Sequence, residues 1–345
     1  FLGVPAVWCS VGTMGAAASM DRPGEELLCG GFKQGYDLDT AREVGRGAYA
    51  TVLKATRKRD GAVVAVKVFS REDLKVAKRS HVIKEIRILH RVSGGHPAIF
   101  RFHNAYQGMG SIFVVSEYLE GGDLDAQMKD STTGAVAALP EARAARITAQ
   151  IFEGIAYLHS VGVTHRDLKP ANILFASADP SSPGYDWVRI CDFGMAHHSE
   201  SKTSLFHRFW MSKLPSMSEV CGSPRYLAPE VGVYLYMRII DPTGTKLKPE
   251  DKSKLLGKRS ERPAYTELVD VWSAGVIAHY LVLGEHPFQT WDALLSGKLS
   301  MDEEKWMHLP LARRMVETAL VPDEALRPSA RQVLQAQWLP PPSSG

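Results

Sequence analysis

The sequence predicts an α+β fold of two lobes, a small antiparallel β-sheet with one key helix and a larger, mainly helical part, with a cleft between them. Three observations predict it. β-Rich segments crowd the stretch from Tyr36 to Phe69; a Gly-Gly turn, Glu120-Gly121-Gly122-Asp123, closes the apolar run Ile112 to Tyr118; and beyond that turn apolar residues recur at helical spacing. The chain has 345 residues, 45% hydrophobic and 23% charged, enough apolar material for a large core and unlike a mainly disordered chain.

Residues 1–35 read as an unstructured leader. The domain is expected over residues 36–339, with the first lobe at 36–118 and the second at 119–339. In the first lobe, Glu43-Val44 leads into a Gly-containing turn, followed by the strands Thr51-Val52-Leu53 and Val63 to Phe69. From His81 to Val92, Val82, Ile86 and Leu89 recur at helical spacing and place Glu85 on a helix that follows the strand holding Lys67. In the second lobe, Glu141 to His159, Val269 to Leu283 and Leu311 to Leu320 read as helices. Residues 340–345 form a polar, Pro-rich exit.

Composition limits the function classes. Lys+Arg 41 against Asp+Glu 38 leaves +3, too weak an excess to expect nucleic-acid binding. The four cysteines, Cys9, Cys29, Cys191 and Cys221, form no CxxC pair, so neither a zinc site nor a disulfide framework is expected, and a cytoplasmic or nuclear setting fits. No run reaches the ~18 apolar residues of a membrane span. The first residue is Phe1; were Met14 the initiator, Met14-Gly15-Ala16-Ala17-Ala18-Ser19 would match the myristoylation pattern and Gly15 would carry the acyl anchor.

The chemistry lies in an ordered series. Gly45-Arg46-Gly47-Ala48-Tyr49-Ala50 is a Gly-rich turn between strands, and Lys67 a cation on the next strand but one; either alone is commonplace. They are followed, in order, by helical Glu85, by His165-Arg166-Asp167-Leu168-Lys169-Pro170-Ala171-Asn172, and by Asp192-Phe193-Gly194. This succession resembles the protein kinases from Tyr36 to about Leu339, and Asp-Leu-Lys-Pro resembles their Ser/Thr branch. The pattern is most similar to the calcium/calmodulin-dependent group.

The resemblance implies transfer of the γ-phosphoryl group of ATP to Ser/Thr hydroxyls of protein substrates, with Mg²⁺. Lys67, paired with Glu85, would contact the α- and β-phosphates; Asn172 and Asp192 would hold the metal; Asp167 would accept the hydroxyl proton; Lys169 would steady the γ-phosphate. The lid brings Gly45 and Gly47 over the phosphates. Val44, Val52, Ala65 and Leu174 would wall the adenine slot, Glu117 and Leu119 would supply hinge backbone, Asp123 would lie near the ribose, and Ser116 falls at the gatekeeper position. A pseudokinase scaffold is the rival reading, and it typically loses Lys67, Asp167 or Asp192, all present here.

Further along, Ala228-Pro229-Glu230 would close the activation segment, Arg327 would pair with Glu230, and Asp270 would brace the catalytic loop. Leu89, Phe102, Phe193 and His165 are expected to stack between the lobes. Arg166 beside the catalytic Asp implies a basic pocket for a phosphorylated activation segment. Its occupant is either Glu219, standing two residues before Cys221 where relatives carry a phosphothreonine, or a phosphate on Ser212, Ser216 or Ser218; Ser223, in the loop expected to meet the protein substrate, is a further regulatory candidate. The segments from His197 to Ser218 and from Tyr234 to Pro263 are expected to be surface loops. Ala171 replaces the Glu that many basophilic relatives use to read an Arg in the substrate.

Overall fold

A computed structural model describes residues 27–29, 31–47, 49–76, 79–108, 110–130, 132–198, 224–232, 265–299 and 302–340. The first lobe is a six-stranded sheet in the order β1-β5-β6-β4-β3-β2, built from β1 (Leu28–Cys29), β2 (Tyr36–Arg46), β3 (Thr51–Arg57), β4 (Val63–Phe69), β5 (Phe102–Gly108) and β6 (Ser111–Glu117). Five strands pair antiparallel, whereas β1 runs parallel to β5, with Leu28 opposite Tyr106.

Period-two alternation gives the sheet two apolar faces. Val64, Val66, Phe113 and Val115 form a cluster on one face, while Phe69, Ile112 and Val114 belong to the main core on the other. After the short α2 (Arg71–Val76), the main core takes in α3 (Arg79–Val92), which buries Val82, Ile86 and Leu89 and, among polar groups, Glu85. The first face is closed by a one-turn helix, α1 (Phe32–Gly35), whose Phe32 stacks on Phe113 at 4.1 Å between ring centroids. The fold therefore begins before residue 36, and the expected leader ends too late: Phe32 is 4% exposed and contributes to the sheet's outer core.

The second lobe opens with the short α4 (Leu124–Gln127) and is built on α5 (Glu141–Ser160), with Ile147, Ile151, Ile155 and Leu158 fully buried, and on α6 (Leu268–Leu283). Of the sixteen residues of α6, all but Leu268 and Leu283 are buried, as expected of a helix apolar all round at the centre of a core. Its Gly275 lets the helix Pro310–Ala319 approach closely, since a Cβ there would lie 2.8 Å from that of Ala319. Trp338 Nε1 donates to Glu141 Oε1 at 3.1 Å and ties the end of the lobe to the start of α5.

Against α5 lies a platform of short pairs. β7 (Val163–Thr164) pairs with β10 (His197–His198), and β8 (Ile173–Phe175) with β9 (Val188–Ile190). The expected loop from His197 thus opens with two strand residues; the rest of that segment and of the second expected loop lies outside the described residues.

Candidate active site

Register in the sheet assembles the upper half of the site. On β4, Ala65 lies opposite Ser116 of β6 and Lys67 lies opposite Val52 of β3, so the slot walls, the small gatekeeper and the cation share one ladder. Gly45 pairs with Val52 and the Gly47 amide donates to the Ala50 carbonyl at 2.8 Å, which folds the Gly-rich turn back over this face. Val44 is exposed and Ala50 buried.

Lys67 Nζ donates to Glu85 Oε1 at 2.7 Å and to Asp192 Oδ1 at 3.2 Å. Burial opposes the ammonium, but the flanking carboxylates outweigh it and hold the Lys67 pKa above its ordinary value. The Lys67 charge, despite some burial, pulls the Asp192 carboxyl down to about 2, so it stays ionised at neutral pH. Asp192 has φ 61°, a left-handed conformation that non-glycine residues rarely adopt, and its Oδ1 also receives the Gly194 amide.

The lower half hangs on a buried carboxylate. Asp270, on α6 and 1% exposed, accepts the His165 and Arg166 amides at 2.8 Å each, and its Oδ2 lies 3.1 Å from His159 Nε2. Burial raises its pKa, yet the His159 hydrogen bond and the adjacent charges bring it below the ordinary carboxylate range. These two amide bonds hold Arg166 at φ 68° and so set the direction of the next residue. That residue is Asp167, whose Oδ2 accepts Lys169 Nζ at 2.7 Å and Asn172 Nδ2 at 3.1 Å; Nδ2 also donates to the Asp167 carbonyl at 2.7 Å. Both side-chain bonds fall on Oδ2, leaving Oδ1 toward an incoming group, and Asn172 keeps its own Oδ1 as an acceptor.

The hinge is tied from behind. The Glu117 amide donates to the Arg101 carbonyl, while its carboxylate accepts the Arg101 amide at 2.6 Å and faces Arg189 Nε at 3.7 Å. With its N–H committed, Glu117 has its carbonyl to offer a ligand. Asp123 caps the helix Leu124–Gln127 through Oδ1 and bridges to Leu174, which brings two of the expected slot residues together.

Phe193 sits edge-on to His165 at 5.1 Å and packs on Phe100 at 6.0 Å; Phe102 instead meets His90. Leu89 and Phe102 remain in the same buried core.

A protein kinase domain family match spans residues 38–238. The chain belongs to the protein kinase family. As a kinase it is 31% identical over 303 residues to the serine/threonine-protein kinase RAD53 of Saccharomyces cerevisiae, covering 86% of this chain and 32% of that protein. It is 28% identical to calcium/calmodulin-dependent protein kinase type I of Schizosaccharomyces pombe, over 86% of this chain and 77% of that one. Against serine/threonine-protein kinase H1 of Homo sapiens the identity is also 28%, over 88% of this chain and 61% of that one. The chain spans about a third of the first of these relatives. Its similarity is thus to serine/threonine kinases, a calcium/calmodulin-dependent protein kinase among them.

In this kinase Glu230 receives both guanidinium arms of Arg327, at 2.7 and 3.0 Å. Arg166 donates to the Met195 carbonyl and to the Tyr265 hydroxyl. The candidates Ser212, Ser216, Ser218, Glu219 and Ser223 lie outside the described residues, as do Met14 and Gly15. Sequence reasoning missed His159, Arg101 and Arg189. No local signal marks them, because their partners Asp270 and Glu117 are distant in sequence.

Proposed function

We propose that this kinase domain is catalytically competent and transfers the γ-phosphoryl of ATP to Ser/Thr hydroxyls of protein substrates. One observation carries the reading: Lys67 engages Glu85 and Asp192 together while Lys169 and Asn172 orient the Asp167 carboxylate. Lys67 would neutralise the α- and β-phosphates, and the Gly45 and Gly47 turn would cover them. The substrate hydroxyl oxygen forms the new bond to the γ-phosphorus, the bond from that phosphorus to the β–γ bridging oxygen breaks, ADP leaves, and Asp167 Oδ1 takes the hydroxyl proton.

The oxygen set of Asn172 Oδ1 and ionised Asp192 suits a hard divalent cation that keeps waters and phosphate oxygens as its other ligands. Bound there, Mg²⁺ would offset charge on the triphosphate.

Labelled-phosphate incorporation into a Ser/Thr peptide library tests the reading. Asp167→Asn is expected to lower kcat by about 10²–10⁴, the range for loss of a general base. Equal incorporation by both proteins would overturn it.

A further inference from the structure

The first lobe carries a second concavity, of about 340 Å³, lined by the end of α1, the run Arg57-Lys58-Arg59, Tyr36, Asn104 and Tyr106. It lies on the sheet face of Phe32, Tyr36 and Phe113, opposite the face that packs on α3 and Glu85. Its walls differ from those of the ATP slot. Every polar side chain in the lining can donate a hydrogen bond, and none is a carboxylate.

The charge around it is also one-sided. Asp60 pairs with Arg57 at 2.9 Å and Arg59 at 3.4 Å, and Asp37 lies in the field of Lys58. The same positive field reaches His103, pushed down first by burial and then by Arg57, Arg101 and Arg59, of which Arg57 and Arg59 line the cleft. Three lining cations, Arg57, Lys58 and Arg59, against the neighbouring Asp60 and Asp37 leave a positive surplus around a cleft of small-ligand size. The Arg57 side chain is 18% exposed and so partly preset by its pair with Asp60, while the Arg59 side chain, 75% exposed, is available to turn inward.

We propose that this cleft docks a phosphoserine or phosphothreonine in a partner or substrate protein. A phosphomonoester brings about −1.5 to −2 charge and three acceptor oxygens, which suit a positive, all-donor lining; a carboxylate brings one charge and two oxygens. The pocket exists because the chain before Tyr36 folds over the sheet and contributes Gln34 and Gly35 to its wall. The binding does not depend on turnover at Asp167, so its failure and that of the catalytic reading are separable.

The test is fluorescence anisotropy on the full chain without ATP, using short degenerate peptides with a fixed central phosphoserine or phosphothreonine, their unphosphorylated forms and their Glu forms. The phosphorylated set is expected to bind at least about tenfold more tightly than either other set. Arg59→Glu and Lys58→Glu are each expected to weaken it about tenfold, with melting temperature and activity on a short unphosphorylated peptide unchanged. Arg314→Glu, an exposed reversal in the other lobe, controls for bulk charge. Equal binding of all three peptide sets, unchanged affinity in both variants, or an equal loss in Arg314→Glu would overturn the proposal. So would retention by phosphatidylserine vesicles without preference for the phosphorylated peptides, which would make the patch a membrane surface.

Discussion

Asp192 and Arg166 are the two described non-glycine residues with positive φ. Such conformations cost on the order of 1–3 kcal/mol each and persist where surrounding bonds over-determine them. Here the determinants are Lys67 for the first and Asp270 for the second. His286 shows a different residue-scale effect. It stacks on Tyr280, meets Tyr226 edge-on, and has His279, Arg225 and Asp125 in its field; burial first, then Arg225, pushes its pKa from 6.5 down to about 4. The folded protein therefore holds it neutral where the unfolded chain takes up a proton. Its contribution to stability is complete above about pH 6.5 and is lost as pH falls toward about 4. His286→Phe, which keeps the ring stacking, is expected to show a smaller fall in melting temperature between about pH 7 and about pH 5 than wild type. Identical slopes would remove His286 as the titrating group.

At the scale of elements, α1 and β1 show how little local signal an ordered segment needs. Four residues, Phe32–Gly35, have no room for a helical repeat, and β1 has two; both are held by contacts with β5 and β6. Phe32→Ala is expected to destabilise the protein by about 3–5 kcal/mol, the usual cost of deleting a buried phenyl, as read by urea unfolding. A loss below about 1 kcal/mol would mean that the outer cluster repacks or contributes little. β5 escaped notice for a related reason. Its His103, Asn104 and Gln107 break the apolar alternation that made Ile112 to Tyr118 legible, and pairing with β6 rather than intrinsic pattern makes it a strand.

Across the whole molecule, ion pairs join segments that sequence keeps far apart. Arg327 and Glu230 are 97 positions apart, with side chains 0% and 4% exposed. Arg327→Ala strands a buried carboxylate and is expected to cost about 3–5 kcal/mol in denaturant unfolding. Arg327→Lys should recover part of that, since an ammonium lacks the paired donors of the guanidinium fork. Full stability in Arg327→Ala would contradict this role for the pair. The lobes are joined by Lys67 to Asp192 and by Phe100 against Phe193, so the cleft is a product of both.

The order of Gly45, Lys67, Glu85, Asp167, Asn172 and Asp192 sufficed by itself to identify the protein kinase family and with it the fold class, because the resemblance lies in side chains that local pattern already places on a turn, a strand, a helix and two loops. Only the tertiary structure decided that Phe32–Gly35 packs on the sheet, that Phe100 meets Phe193, and that Arg57, Lys58 and Arg59 line one cleft. Those facts depend on strand pairing and on which face a one-turn helix covers. Both are set by contacts between segments distant in the chain, and periodicity within a segment carries no record of them.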